Sequence, residues 1–374
     1  MSSVHERGIL LPTSSRAGAL SRRLIYSVLL FFTAAASFNG FYTKVKLRDG
    51  IKFNGFESII EGTANRPYIA RQLIPTVANW ADRVAPESLK SKLQNVAGDT
   101  VTGIYASLFP SSPVAQNPTY QFRYLVFYLE VFVFAELAVF LLYFVCRAYG
   151  YAPHVSLTAS CLLVLLIPYI EIHGGGFYTD FSELAFLALG VLVAHRFHWL
   201  WLLPVAFLAT FNKETYLLIL VMLWPILSER YGKIRAAVQV ALTLALAVPL
   251  DLLVRYHFRN NPGGTVEIHV SDQLAFLVHP GKWLLKFGNA YGVFVPEMLT
   301  VIPMVLLALL VRYGWKRMPP SIRQHGIVGL CMNVPLYLAF SNPGEMRDFS
   351  ILFVVLLILF AANLAEAETA VAAA

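Results

Sequence analysis

In ATFNKETYLL (Ala209–Leu218) a lysine and a glutamate, Lys213 and Glu214, stand side by side inside an apolar run from Trp199 to Leu227. Charged side chains at membrane depth persist only beside water or a partner, and they mark sites and pathways by default. Three more clusters carry similar chemistry. HGGGFYTD (His173–Asp180) offers bare glycine amides that can approach a phosphate or sugar closely, with Tyr178 and Asp180 able to bond hydroxyls. SNPGEMRD (Ser341–Asp348) sets Glu345 and Arg347 one residue apart at a turn. NGFESIIEG (Asn54–Gly62) places Glu57 and Glu61 one helical turn apart, near Asp49, Arg66 and Arg71. A carboxylate near guanidinium groups suits a general base beside a phosphate-binding cation. Glu57, Glu61 and Asp49 are the base candidates, and Arg66, Arg71, Lys213 and Arg347 the cations.

Each cluster also has a plainer reading. Asn212 would cap a helix, Glu214 would sit on its first-turn dipole, and Lys213 would reach the headgroups. Glu345 and Arg347 would be an ion pair closing a bundle, three glycines a tight connection, and the first-loop charges a solvated face. No G-x-x-x-x-G-K-[ST] pattern occurs, and His257, His269 and His279 lack a compact ligand spacing, so neither a nucleotide loop nor a metal site is read. Glu130, Glu136, Asp251 and Glu297, acids in apolar surroundings, are expected to bond neighbouring helices rather than relay protons.

The elements that must position these groups are membrane spans. Of 374 residues 57% are hydrophobic and 14% charged, far from the balance of a soluble domain. The expected class is therefore all-α and polytopic, with about ten transmembrane or half-spanning helices. Spans are predicted at Leu24–Tyr42, Phe122–Cys146, Val155–Ile172, Phe181–Arg196, Ile234–Tyr256, Tyr291–Val311, His325–Phe340 and Phe349–Leu364. The first could also be a cleaved signal peptide, but the long tail before it favours a retained anchor. The charge of +7 lies in short loops, as membrane orientation requires, so nucleic acid is set aside. Cys146, Cys161 and Cys331 read as small core residues.

Loop charge also decides the Trp199–Leu227 run. Read as two short helices turning at Phe211–Thr215, it leaves Arg22, Arg23, Arg147, Arg196, Arg230, Lys233, Arg317 and Arg323 on one side, the cytosolic one. All four chemical clusters then share the other side, with long outer loops at 43–121 and 257–290. Short tails, 1–23 and 367–374, flank one membrane domain, 24–366. Within the first loop, Ile69, Leu73, Val77 and Trp80 predict an interfacial amphipathic helix kinked at Pro75. Further short helices are expected around Glu57–Glu61 and Glu87–Val96.

A short tail, one span, a large outer loop with acids and interfacial helices, then many spans with short helix pairs: this layout resembles the GT-C class of integral membrane glycosyltransferases. More closely, RPYIARQLIP, YTDFSELAFLALG, FNKETYLL and GEMRDFSILF resemble the blocks of a group of bacterial polytopic proteins. The resemblance implies a location in the bacterial inner membrane with the active face outside. It implies a sugar taken from a polyprenyl-phosphate carrier and passed to a glycan, lipid or protein acceptor, with membrane lipid and an envelope-biosynthesis complex as partners. By position it puts the catalytic base on Glu57, Glu61 or Asp49, and it leaves any need for a divalent metal open. A membrane-embedded polysaccharide polymerase or ligase, a lipid-linked glycan transporter and a non-catalytic scaffold are the competing readings.

Overall fold

The computed structural model describes residues 16–94, 104–171 and 175–373. The described residues are mostly helical, with almost no sheet. A long first helix, α1 (Arg16–Val45), leads into a loop of short helices: α2 (Phe56–Ile60), α3 (Leu73–Val84), α4 (Glu87–Gln94), α5 (Ile104–Leu108) and α6 (Pro113–Gln116). Then come α7 (Gln121–Ala148), α8 (Pro153–Ile170), α9 (Asp180–Arg196), α10 (Leu202–Asn212), α11 (Tyr216–Met222), α12 (Trp224–Tyr231) and α13 (Lys233–His257). After α14 (Val270–Leu277) a single hairpin pairs β1 (Phe287–Ala290) with β2 (Val293–Pro296), and α15 (Val301–Gly314), α16 (Pro320–Phe340) and α17 (Phe353–Ala373) finish the chain. Among the described residues, five helical stretches are long and apolar enough to cross a membrane: Leu20–Val45, α7, α8, α13 and Met346–Val371.

At the centre stands α9, whose sequence DFSELAFLALGVLVAHR is apolar nearly all round, as a helix buried by others must be. It packs against α7, α10, α11, α12 and α17. The Trp199–Leu227 run does turn back on itself. Lys213 is extended, so α10 stops at Asn212, and at the far end Arg230 bonds the Phe197 carbonyl. At 11 residues α10 is roughly 17 Å long, too short to span alone.

Two ends result. One gathers Arg196 on the Ala148 carbonyl at 2.6 Å, Arg230 on Phe197 and Arg317 beside Glu366 at 2.9 Å. The other gathers the first loop, the turn after α10, and the segments 175–180 and 341–350.

Several expectations need correction. Tyr291 does not start a span: it forms the hairpin turn with Gly292, and the helix begins only at Val301. Residues 16–23 and 367–373, read as tails, are helical as parts of α1 and α17, which does not bear on their being cytosolic tails. Pro75 lies in the first turn of α3, where no partner is needed for the missing N–H, so it stops nothing. Ile69 belongs to a preceding turn; α3 buries Ile74 and Ala78 inward and turns Val77 and Trp80 outward. The expected Glu87–Val96 helix is α4, described as far as Gln94. Asn212 does not cap the next helix; it ends α10 and accepts a hydrogen bond from Ser182.

Candidate functional site

The turn after α10 is held from three directions. The last turn of α10 leaves carbonyls without helical partners, and the Gln72 N–H takes the one on Phe211 at 2.9 Å. The Ser182 hydroxyl on α9 donates to Asn212 Oδ1 at 2.7 Å. Lys213, now extended and buried, drives its ammonium between Glu183, which it bonds, and Asp180 at 3.6 Å. Glu183 also accepts from Thr215, and from Ser350 at 3.0 Å. A carboxylate buried in an apolar helix is thereby fully matched, which is the condition for its being there.

Glu214 points the other way, to Arg71. The guanidinium meets it through two bonds, Nη2 to Oε1 at 3.1 Å and Nε to Oε2 at 3.4 Å, the paired geometry that Arg alone offers a carboxylate. Burial pushes the Glu214 carboxyl up, but the Arg71 charge and its hydrogen bonds outweigh that and hold it down at about 2. Burial likewise opposes the Arg71 charge, and Glu214 more than restores it. The Arg71 carbonyl accepts the Tyr178 hydroxyl at 2.8 Å, so Tyr178 holds the backbone here.

Arg347 completes the group. It bonds Glu345, reaches Asp180 at 3.3 Å, and Glu345 is steadied by the Asn342 amide at 2.8 Å. Asp180 also caps its own turn, accepting the Phe177 N–H at 2.6 Å. Three guanidinium groups surround the buried Phe177 ring: Arg71 at 4.8 Å, Arg48 at 5.2 Å and Arg347 at 6.0 Å from its centroid. The negative ring face offsets some of the repulsion among them.

Several of these groups line an open cleft of about 350 Å³. Arg71, Lys213, Glu214 and Arg347 line it together with the apolar Leu218, Leu336 and Phe340. Tyr68 donates to Glu267 at 3.1 Å along the rim. Its basic lining residues, Arg71, Lys213, Arg255 and Arg347, are matched in number by the acids Glu214, Glu267, Glu345 and Asp348.

Of the candidates read from the sequence, Arg71, Lys213, Glu214, Asp180, Tyr178, Glu345 and Arg347 come together. The proposed bases do not join them. Glu57 accepts from the Gly50 N–H at 3.2 Å, Glu61 from Tyr120, and Asp49 from Ser112 and Tyr124, the latter at 3.1 Å. Although Glu57 and Glu61 lie one turn apart, α2 is only five residues long and each carboxylate finds its own partner in the loop. Burial pushes the Asp49 carboxyl up, against the lowering effect of those two hydroxyls. Arg66 spends its guanidinium on the Gly263 carbonyl at 2.6 Å, tying the two long loops together. His173 lies outside the described residues.

The site also holds residues that sequence reasoning passed over: Arg48, Tyr68, Glu183, Arg255, Glu267 and Asp348. Glu183 had a signal, since it follows Asp180 by three residues on a helix and so shares its face. Glu267 and Tyr68 had none, being brought together only by the clamp between loops. No family model, no curated protein and no solved structure matches this chain.

Proposed function

We propose that the chain is a membrane-embedded glycosyltransferase of GT-C type. It takes a sugar from a polyprenyl-phosphate carrier and passes it to a glycan, lipid or protein acceptor. Its cleft end faces away from the cytosol in a bacterial inner membrane, where an envelope-biosynthesis complex would supply and consume the lipid-linked sugar. The observation that carries this reading is the mixed lining of the cleft. An anionic head on an apolar chain suits a cleft lined by Arg71, Lys213 and Arg347 together with Leu218, Leu336 and Phe340.

In the transfer, the acceptor oxygen attacks the anomeric carbon, the bond from that carbon to the phosphate oxygen breaks, and the phosphate leaves with the electron pair. The cations stabilise the charge growing on it. A carboxylate takes the acceptor's proton. Because Glu57, Glu61 and Asp49 are engaged outside the cleft, we assign that role to Glu267, half-exposed at the rim and oriented by Tyr68.

The test is donor consumption in membranes supplied with a panel of polyprenyl-phosphate sugars. Glu267→Gln is expected to lower the rate by about 100-fold or more, the usual scale for a lost general base, while Glu57→Gln and Glu61→Gln leave it within about twofold, since sites away from the chemistry tolerate such substitution. If no donor is consumed under any condition, the enzyme reading fails. One observation favours a second reading, a carrier of the same lipid-linked glycan: every cation of the cleft already faces a carboxylate, as in an exchange site that swaps partners. That reading predicts saturable donor binding with no transfer.

A further inference from the structure

Behind Arg347, on the side away from the cleft, two buried carboxyl groups meet. Glu171 follows the last turn of α8, Asp180 opens α9, and both side chains line one small void. Two carboxylates at one buried site repel, and a buried charge without a partner is costly, so the site favours a proton on one of the two.

The surroundings say which one carries it. Asp180 accepts the Phe177 N–H at 2.6 Å and faces Arg347 at 3.3 Å and Lys213 at 3.6 Å, all of which favour its charged form. Glu171 is 1% exposed, and its Oε1 has no partner among the described residues. Lys44 donates at 2.7 Å to the Glu171 backbone carbonyl. An enclosed void of about 10 Å³, lined by Glu171, Asp180, Arg347 and Ser350 among others, offers room for about one water. Arg347 and Ser350 also line the cleft, while Lys44 lines an open groove of about 530 Å³ beneath the β-hairpin. The carboxyl pair therefore stands between two open spaces.

We infer that Glu171 and Asp180 form a proton-binding site, in which Glu171 holds a proton at neutral pH and donates it to the Asp180 carboxylate. The charged groups facing the pair are Lys44 and Arg48 from the first helix and its exit, Glu183 from α9 and Lys213 from the turn. Arg347 faces it from the segment before α17, flanked by Glu345 and Asp348, and Glu297 faces Lys44 from the hairpin. Losing the proton puts two negative charges side by side. That draws Arg347 from Glu345 toward the pair and alters the polar lining of the cleft.

Infrared spectroscopy of the full chain in lipid tests this, in a Glu130→Gln/Glu136→Gln background that removes two further carboxyls in apolar surroundings. A protonated-carboxyl C=O band, shifted in D₂O, is expected at neutral pH and is lost in Glu171→Gln, whose amide still donates to Asp180. Should that variant fail to fold, uniform ¹³C-glutamate labelling of the background protein is expected to move the band and ¹³C-aspartate labelling to leave it. Absence of the band, its survival in folded Glu171→Gln, or its movement with aspartate labelling would each overturn the proposal.

Discussion

Arg71 and Glu214 show how charge survives inside an apolar bundle. Taking two ions out of water costs several kcal/mol each, and only close, well-oriented pairing offsets it. Removing one partner is therefore worse than removing both. Arg71→Ala strands the Glu214 carboxylate and is expected to cost on the order of 3–5 kcal/mol. The double replacement Arg71→Ala/Glu214→Ala costs less than the sum of the two single changes, a coupling that a thermal-unfolding cycle in detergent measures. The pair also has a pH signature. A carboxyl held at about 2, below its ordinary 4.5, contributes stability that is fully present above pH 4.5 and is lost as the pH falls from 4.5 toward 2. The loss is on the order of 3 kcal/mol. Glu214→Gln is expected to flatten that acid limb, and an unchanged limb would show that Arg71 does not hold the charge.

At the scale of elements, packing around α9 depends on a residue with no side chain. A Cβ on Gly190 would come within 2.6 Å of the Tyr216 hydroxyl on α11, so α9 and α11 approach only because that atom is missing. Gly190→Ala is expected to destabilise by about 1–3 kcal/mol through overpacking, and Tyr216→Phe, which removes the clashing oxygen, recovers part of it. A melting temperature unchanged by Gly190→Ala would contradict the close approach. Nothing local in LALGVLV announces this contact, and the same limit explains the other gaps between sequence and structure. The turn after α10 was legible because loop charge and bilayer thickness constrain it independently. The β-hairpin was not, because YGVFVP is apolar and periodicity alone does not separate a short strand from the start of a span. The cation cluster was legible as ionised residues in apolar runs. The separation of Glu61 from it was not, since that depends on Tyr120, 59 residues beyond Glu61 in the chain.

The whole molecule is a bundle with two unlike ends and an apolar waist. Phe32, Phe144, Leu253 and Ile302 are among the large side chains exposed along its sides, a surface that suits lipid and would be a liability in water. Basic residues gather at the end holding Arg196, Arg230 and Arg317; the cleft occupies the other, under two long loops joined where Asn261 bonds the Gly62 and Ala64 carbonyls at 2.8 and 2.9 Å. Excess Lys and Arg next to spans tends to stay in the cytosol, and the proposed function therefore has the cleft open on the far side. Single cysteines at two exposed positions test this, with Cys146, Cys161 and Cys331 replaced. Ser88→Cys lies in α4 at the cleft end and Lys316→Cys beside Arg317 at the other. In intact cells an impermeant maleimide is expected to label Ser88→Cys at once and Lys316→Cys only after the membrane is opened. The reverse pattern would invert the protein and put the cleft in the cytosol. Labelling of both from outside would mean that the two ends do not face opposite sides, and the polar lining would then need another explanation than a lipid-fed cleft.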